Sequence, residues 1–437
     1  MNRRSIVSAA ATAGVIAAAV AIAGPASAGL LAGNCTAAQA GNASVGAFGI
    51  PTFGNDPFLI TSRGAGAAGS LVFTARGGNS VQSYSPATNA FSVLATTNIS
   101  APQGVAVAAD GAVWFTNSGP NTIGKIATSG AVTTYPIPTA NSNPWGIVAG
   151  PDGNMWFTEY NTGKIGRITN AGVITEYTQP ISTPLQIAVG SDGRLWYGAF
   201  QGNQIGAIDI NGNWQVYTLP GSQTSLNGIA TGSDANVWFL DAQYGNPGVG
   251  VISASGQSTT YPIGVANAQP DQITAGPASS NTQWFTQGNG NIGKVTTSGV
   301  VTSYPATSGQ ANPNGIVTGP DGNVWFTEGG CAALGRIGTS PSVYAVMTSR
   351  PPIVKRGKSY TVRVKMNARG KVSLGIIGQG KRRTLLNTTG KKGVTTITMT
   401  IPSSLPPSFR GKVTLVLNGA PGSSANKAAQ TAPITVR

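Results

Sequence analysis

Short apolar runs recur along most of the chain at a nearly constant interval. The marker of each run is a tryptophan, and successive markers lie 42, 40, 42, 46 and 41 residues apart: Trp114, Trp156, Trp196, Trp238, Trp284 and Trp325. Val72 continues the series one step towards the N-terminus. Self-similarity with a period of about 40 residues is typical of repeat architectures. The pattern therefore predicts seven repeats.

Each repeat contains four short strand-like segments separated by turn residues. In the third repeat these segments are residues 144–149, 155–159, 164–168 and 173–177. Asp-Gly pairs at 110, 152, 192 and 321 supply the positive φ angles of a tight hairpin between the first two segments. Four antiparallel strands per repeat predict a seven-bladed β-propeller. A β-helix is the alternative, but its rungs are shorter and do not require the recurring Trp-Phe pair. One tryptophan per blade is expected to pack between blades.

The two ends of the chain require separate interpretation. Residues 1–28 combine Arg3 and Arg4, an apolar run and the small residues Ala26-Ser27-Ala28, which predicts a signal peptide and a secreted, extracellular or cell-envelope protein. In such a compartment Cys35 and Cys331 are expected to form a disulfide across the closure of the ring. The closing strand of the last blade comes from either residues 43–50 or residues 343–346, and the sequence does not decide between them.

Residues 342–437 differ from the propeller region, residues 29–341, in pattern and in charge. Alternating segments such as residues 360–366 and 394–401 predict an immunoglobulin-like β-sandwich, so the expected fold class is all-β. The stretch 341–437 contains 17 Lys or Arg and no acidic residue, whereas residues 29–340 contain 8 basic and 12 acidic residues. Such an excess suggests an anionic cell-wall polymer or membrane surface as partner. The scarcity of aromatic residues argues against specific nucleic-acid recognition.

Candidate binding residues occupy two positions in each repeat. The entry slot lies at the start of the first strand of each blade, and the exit slot lies at the end of the second strand. Both positions are therefore expected at the axial face, where propellers usually hold ligands. The polar or aromatic entry-slot residues are Gln103, Trp145, Asn227, Asp271 and Asn314. The polar exit-slot residues are Asn117, Glu159, Asp241, Gln287 and Glu328. Together they predict a site for a small molecule, peptide or glycan, with Trp145 as a stacking platform.

The repeat Gly-Pro-Asp-Gly-Asn-Met-Trp-Phe-Thr-Glu at 150–159, followed by Lys-Ile-Gly-Arg-Ile at 164–168, resembles the streptogramin B lyase family. That family consists of seven-bladed propellers that linearise cyclic depsipeptides by β-elimination, with a histidine base and a Mg²⁺ held partly by glutamate. The resemblance implies metal-binding roles for Glu159 and Glu328, with Asp241 and Asp271 as possible helpers. However, the chain contains no histidine, and its entry slots lack the family's Pro-His-Gly.

Two functional hypotheses follow from this departure. The favoured one is a non-catalytic propeller that binds a ligand at its axial face. The other is a lyase or hydrolase that uses Glu159, Asp241 or Glu328 with Mg²⁺ or Ca²⁺, the ions that suit carboxylates without histidine. An ordinary carboxylate is about two to three units too weak to act as the base unless burial raises its pKa.

Overall fold

The structure is a computed structural model. It describes residues 39–338, except 41–42, 51–55, 65–68, 222–224, 244–245, 266, 278–279 and 307–311, and beyond residue 338 it describes strands alone. The predicted signal peptide and Cys35 lie outside the described residues. Within the described part, no helix has the length and apolar character needed to span a membrane.

The fold is an all-β propeller of seven blades, as the repeats predict. Two strands, β1 (Gln39–Ala40) and β2 (Ala43–Gly49), precede the first blade. Blades one to three comprise β3 (Pro57–Arg63), β4 (Ser70–Ala75), β5 (Ser80–Ser85) and β6 (Ala90–Ala95); β7 (Pro102–Val107), β8 (Val113–Asn117), β9 (Thr122–Ile126) and β10 (Val132–Pro136); and β11 (Pro144–Ala149), β12 (Met155–Glu159), β13 (Lys164–Ile168) and β14 (Ile174–Thr178).

Blades four to seven continue the same antiparallel order. They comprise β15 (Pro184–Val189), β16 (Leu195–Ala199), β17 (Gln204–Ile208) and β18 (Trp214–Thr218); β19 (Leu226–Thr231), β20 (Val237–Asp241), β21 (Gly248–Ile252) and β22 (Ser258–Pro262); β23 (Pro270–Ala275), β24 (Thr282–Gln287), β25 (Asn291–Thr296) and β26 (Val301–Pro305); and β27 (Pro313–Thr318), β28 (Val324–Glu328) and β29 (Ala333–Ile337). The first strands of consecutive blades contact one another around the whole ring, including β27 with β3.

The predicted hairpin turns connect directly to the tryptophan core. In blade three, Gly153 has a φ of +77°, and the preceding Asp152 accepts hydrogen bonds from the backbone of Asn154 at 3.2 Å and from Trp156 Nε1 at 3.0 Å. The Trp156 ring is fully buried and stacks on Tyr177 of the outer strand at a centroid distance of 5.3 Å. All six tryptophans of the series are buried, which confirms that they belong to the core.

The N-terminal strand closes the ring. β2 pairs antiparallel with β29 and thereby supplies the fourth strand of blade seven, with the short β1 paired to its outer edge. Its Phe48 packs against Trp325 of blade seven and Tyr84 of blade one, at centroid distances of 5.1 and 5.5 Å. The alternative closing segment contributes instead to a separate strand beginning at Ala345. Cys331 is buried in a 3₁₀ turn, Gly329–Cys331, and its predicted pairing with Cys35 stays a prediction.

A threonine before the exit slot joins neighbouring blades near the axis. In blade three, the Thr158 hydroxyl accepts the Gly146 N–H of its own first strand at 2.9 Å and donates to the Leu185 carbonyl of blade four at 2.7 Å. Corresponding hydroxyls in four other blades donate to the next blade's entry-slot carbonyl: Thr74, Thr116, Thr286 and Thr327. These bonds hold the backbone of the entry slots, so the candidate site stands on a rigid frame.

Beyond the propeller, eight strands form two sheets. They are β30 (Ala345–Ser349), β31 (Ile353–Val354), β32 (Ser359–Met366), β33 (Gly370–Gly378), β34 (Lys381–Gly390), β35 (Gly393–Thr400), β36 (Arg410–Asn418) and β37 (Ala429–Val436). One sheet has the order β30-β32-β35 and the other β31-β37-β36-β33-β34. β34 was not predicted, because its residues do not alternate between apolar and polar. The immunoglobulin-like arrangement of these strands stays a prediction.

Candidate functional site

The entry and exit slots lie at the same end of every blade. In each blade, the residue that precedes the entry slot pairs with the exit-slot residue. In blade three these residues are Pro144 and Glu159, and the strand register then shifts between Pro144 and Ile147. A second bond lies one residue further out, where the backbone N–H that follows the exit slot donates to the carbonyl of the residue two positions before the entry slot. In blade three this bond runs from Tyr160 to Asn143 at 3.2 Å. The same bond is present in all seven blades and rigidifies this end of the ring.

The exit-slot side chains are buried rather than open to a ligand. Asn117, Glu159, Gln287 and Glu328 have no exposed surface, and Asp241 is 3% exposed. The Asn117 side chain accepts the Ser100 N–H at 2.8 Å and donates to Thr122 and to the backbone of Asn98. It therefore ties blade two to the segment arriving from blade one, which is a structural role.

Glu159 is fully buried and lies beside a second carboxyl group, that of the half-buried Glu176. Glu159 Oε2 accepts the Thr162 hydroxyl at 2.9 Å, and the Glu176 carboxylate lies close by on the outer strand. Burial raises the pKa of Glu159 to about 7, and the nearby Glu176 adds to this rise, while the Thr162 hydrogen bond opposes it. Glu176 accepts the N–H and hydroxyl of Thr139 and pairs with Lys164 at 3.4 Å. Glu159 is thus a buried carboxyl group that loses its proton only near neutral pH.

Two further exit-slot groups, Gln287 and Asp241, are held within their own blades. Gln287 Nε2 donates to the Ser303 hydroxyl of the outer strand at 3.0 Å. Asp241 accepts the Gln243 N–H at 3.0 Å, and burial raises its pKa.

The resemblance implies a divalent-cation site, which requires several converging oxygen ligands. Among the described residues, no three acidic, cysteine or histidine side chains converge in this way. Glu159 and Glu328 lie in different blades, three and seven, and each is buried. Lys164 pairs with Glu176 at 3.4 Å, and its positive charge acts on Glu159, which disfavours a cation beside that carboxyl group. The residues present do not fit the expected metal.

The entry-slot residues lie on the first strands of the blades, which contact one another around the ring. Asn227 donates to the Pro270 carbonyl of blade six at 3.1 Å. Gln103 and Asn314 are nearly buried, at 7% and 8% exposure, and Gln103 donates to Ser118 at 3.3 Å. Trp145 and Asp271 are half-buried, so they retain surface that a ligand could contact.

Trp145 is part of an aromatic wall formed by Phe58, Trp145, Tyr160 and Phe200. Phe58, the entry-slot residue of blade one, meets Trp145 edge to face at 5.8 Å. Tyr160 lies 6.0 Å from Trp145 and 5.9 Å from Phe200. Tyr160 and Phe200 each follow an exit slot by one residue, and neither they nor Phe58 were predicted from the sequence. Alignment of the seven repeats at the position that follows the exit slot would have identified Tyr160 and Phe200.

Arg76 also follows an exit slot and brings a positive charge to this region. Its guanidinium lies 3.7 Å above the Phe58 ring and pairs with Asp56 at 3.0 Å. Burial raises the pKa of Asp271 to about 6, against the opposing hydrogen bond from Gln272 and the charge of Arg76. Asp271 nevertheless keeps some exposed surface. Arg76 and Asp271 therefore share one electrostatic environment.

The fold and these residues define a seven-bladed β-propeller with an aromatic-lined axial end. The model of the virginiamycin B lyase family matches residues 43–337 and, separately, 245–373. The chain belongs to the virginiamycin B lyase family.

Solved structures agree with this assignment. Selenomethionine-substituted virginiamycin B lyase from Staphylococcus aureus is 31% identical with a TM-score of 0.62, and the match covers 68% of this chain and 99% of that one. A catalytically inactive histidine-to-alanine variant of the same enzyme, with quinupristin, gives the same identity, TM-score and coverage. A streptogramin B lyase structure is 32% identical with a TM-score of 0.63, and the match covers 68% of this chain and 97% of that one. No curated protein matches the chain.

Proposed function

We propose that the protein is a non-catalytic propeller that binds an aromatic-bearing small molecule or peptide at its axial end. The observation that carries this proposal is the aromatic wall, in which Trp145 is half-buried and contacts Phe58 and Tyr160. Large rigid aromatic surfaces supported by neighbouring rings are the usual anchors of binding sites. A ligand ring would stack on Trp145, and the polar entry slots would orient it.

The composition supports binding without catalysis. The chain contains no histidine. In the Staphylococcus aureus enzyme, a single histidine-to-alanine change gives a catalytically inactive protein whose structure contains quinupristin. Loss of a histidine is therefore compatible with ligand binding in this family.

A second candidate function, a lyase or hydrolase, draws support from Glu159. Burial raises the pKa of Glu159 to about 7, which removes the objection that a carboxylate is too weak a base. Its complete burial weighs against this role, since a general base must come within hydrogen-bond distance of its substrate. Binding alone is therefore the better supported function.

The decisive experiment measures binding and turnover together. Purified mature protein would be titrated with quinupristin by calorimetry, and the same mixtures, with and without Mg²⁺, would be separated by liquid chromatography and analysed by tandem mass spectrometry for the linear product. Elimination gives a linear product of unchanged mass, whereas hydrolysis adds one water. The active Staphylococcus aureus enzyme serves as the turnover control and its inactive variant as the binding control. We expect binding without product. Sustained turnover that Glu159→Gln or Glu328→Gln abolishes would establish the lyase instead, and lack of binding would refute recognition of this depsipeptide.

We also propose that the protein is exported and that residues 342–437 hold it at an anionic surface. The support is the signal-like N-terminus and the run of basic residues without one acid. The full chain should be retained on an anionic cell-wall polymer and released by NaCl, because surface charge attraction is screened by salt. The double variant Arg382→Gln, Lys412→Gln should elute at lower salt. Retention that is insensitive to salt and to this variant would refute the surface role.

A further inference from the structure

The axial end has two unlike halves. Over blades three and four, the residues after the exit slots are Tyr160 and Phe200, both in the aromatic wall. Over blades five to seven, the corresponding residues are Ala242, Gly288 and Gly329. These small residues leave the axial end of blades five to seven without bulky side chains. A ligand would therefore meet an aromatic surface on one side and polar entry-slot groups, including Asp271, on the other.

Two ring contacts and one charge interaction connect these halves. Trp145 of blade three reaches Phe58 of blade one across the intervening blade, so both rings extend towards the axis. Arg76 lies over Phe58, and its charge acts on Asp271 of blade six. Blades three and six are nearly opposite in a ring of seven. Trp145 and Asp271 occupy equivalent entry slots and thus border the same axial space from opposite sides.

The charges in this space do not balance. Asp56 neutralises Arg76 through its ion pair at 3.0 Å. Among the described residues, Asp271 makes no ion pair within 4.0 Å. One arginine thus stands against two aspartates, which leaves the negative charge of Asp271 uncompensated across the axial space from Trp145. Partly desolvated charges interact strongly with an opposite charge, because less water screens them.

We propose that the axial end recognises a ligand that combines an aromatic ring with a cationic amine. The ring packs against Trp145 and Tyr160, and the amine pairs with the Asp271 carboxylate. The inference rests on the proposed binding function and adds the charge of the ligand. The electron-rich faces of the aromatic wall also favour a cation nearby.

The test compares two peptides of which only one has a cationic amino terminus. The dipeptide amide Trp-Phe-NH₂ would be titrated into the full chain with its amino terminus free and with that terminus acetylated. We expect the free amine to bind at least about 10-fold more tightly, equivalent to about 1.4 kcal/mol. Asp271→Asn should abolish this preference and leave the affinity of the acetylated peptide unchanged. Asp110→Asn, in an exposed turn at the opposite end of blade two, is the matched control.

Equal affinity for the two peptides, or a preference that survives Asp271→Asn, would overturn the proposal. If quinupristin binds and neither peptide does, the amine specificity is wrong while the proposed binding function stands. If neither quinupristin nor either peptide binds, both proposals fail. Circular dichroism of each variant confirms that the fold is retained.

Discussion

Phe58 and Trp145 meet edge to face, with ring centroids 5.8 Å apart and planes inclined by 84°, although they come from blades one and three. Edge-to-face contacts of this kind stabilise aromatic pairs by about 0.5–1.5 kcal/mol beyond the burial of their surface. The contact fixes the orientation of Trp145 before any ligand arrives. A preorganised ring loses little conformational entropy on binding, which favours affinity.

The first prediction concerns Trp145 itself. Trp145→Ala should weaken binding of quinupristin by about 30-fold or more, because truncation of a central aromatic anchor typically costs about 2 kcal/mol or more. Calorimetry measures the loss. Trp214→Ala is the matched control, since Trp214 lies on β18 with 49% of its surface exposed and outside the aromatic wall. Equal losses in the two variants would show that Trp145 has no special role.

The blades could be predicted from the sequence, whereas the contacts within the aromatic wall could not. The tryptophan spacing was sufficient to predict seven blades, because packing between blades demands one large aromatic at a fixed position. Trp145 was singled out because it lies outside the series of core tryptophans and is an aromatic residue at an entry slot. Its contact with Phe58 could not be predicted, since a period of about 40 residues relates neighbouring blades and not blades one and three. The burial of the exit slots also depends on side-chain direction, which the repeat does not reveal.

The second prediction concerns the pH dependence of stability at Glu159. The folded state holds a proton that the unfolded chain releases, because burial raises the pKa of Glu159 from 4.5 to about 7. Stability therefore falls as pH rises from about 4.5 to 7 and stays lower above it. Glu159→Gln removes this loss, so the variant should exceed the natural protein in stability by up to about 3 kcal/mol at pH 8 and differ little at pH 4. Urea denaturation across this pH range measures the difference.

Glu176 provides the opposite control. Burial raises its pKa, but the hydrogen bonds from Thr139 and the charge of Lys164 outweigh this and lower the pKa below its usual value. Its stabilising effect is present above pH 4.5 and is lost as pH falls through the folded-state pKa. Glu176→Gln should therefore destabilise the protein at pH 8. Parallel pH profiles for the two variants would contradict the assignment of the raised pKa to Glu159.

The third prediction addresses the threonine bridges between blades. The Thr327 hydroxyl accepts the Gly315 N–H at 2.8 Å and donates to the Phe58 carbonyl across the seam of the ring. Thr327→Val leaves both backbone groups without this partner, and the expected cost is about 1–3 kcal/mol. Thr133→Val, at an exposed position of β10, should change stability by no more than about 0.5 kcal/mol. Similar urea midpoints for the two variants would exclude a stabilising role of the bridge.

The sequence did not decide which segment closes the ring, because a single strand outside the repeats has no counterpart with which to align it. The packing of this strand leads to the fourth prediction. Phe48 of β2 is 6% exposed and contacts Trp325 at 5.1 Å, while β2 itself pairs with β29. Phe48→Ala should cost about 3–5 kcal/mol, because the cavity removes contacts from both sides of the seam. Val93→Ala, at a 45% exposed position of β6, is the control.

Hydrogen exchange can locate the damage caused by Phe48→Ala. If β2 closes the ring, the amides of β29 should lose protection before those of β16 and β20, since weakened packing opens the nearest cooperative unit first. The ring would then fray at the seam while the blades opposite remain folded. Uniform loss of protection in all blades would show instead that the propeller unfolds as one cooperative unit. Unfolding would then not begin at the seam between β2 and β29.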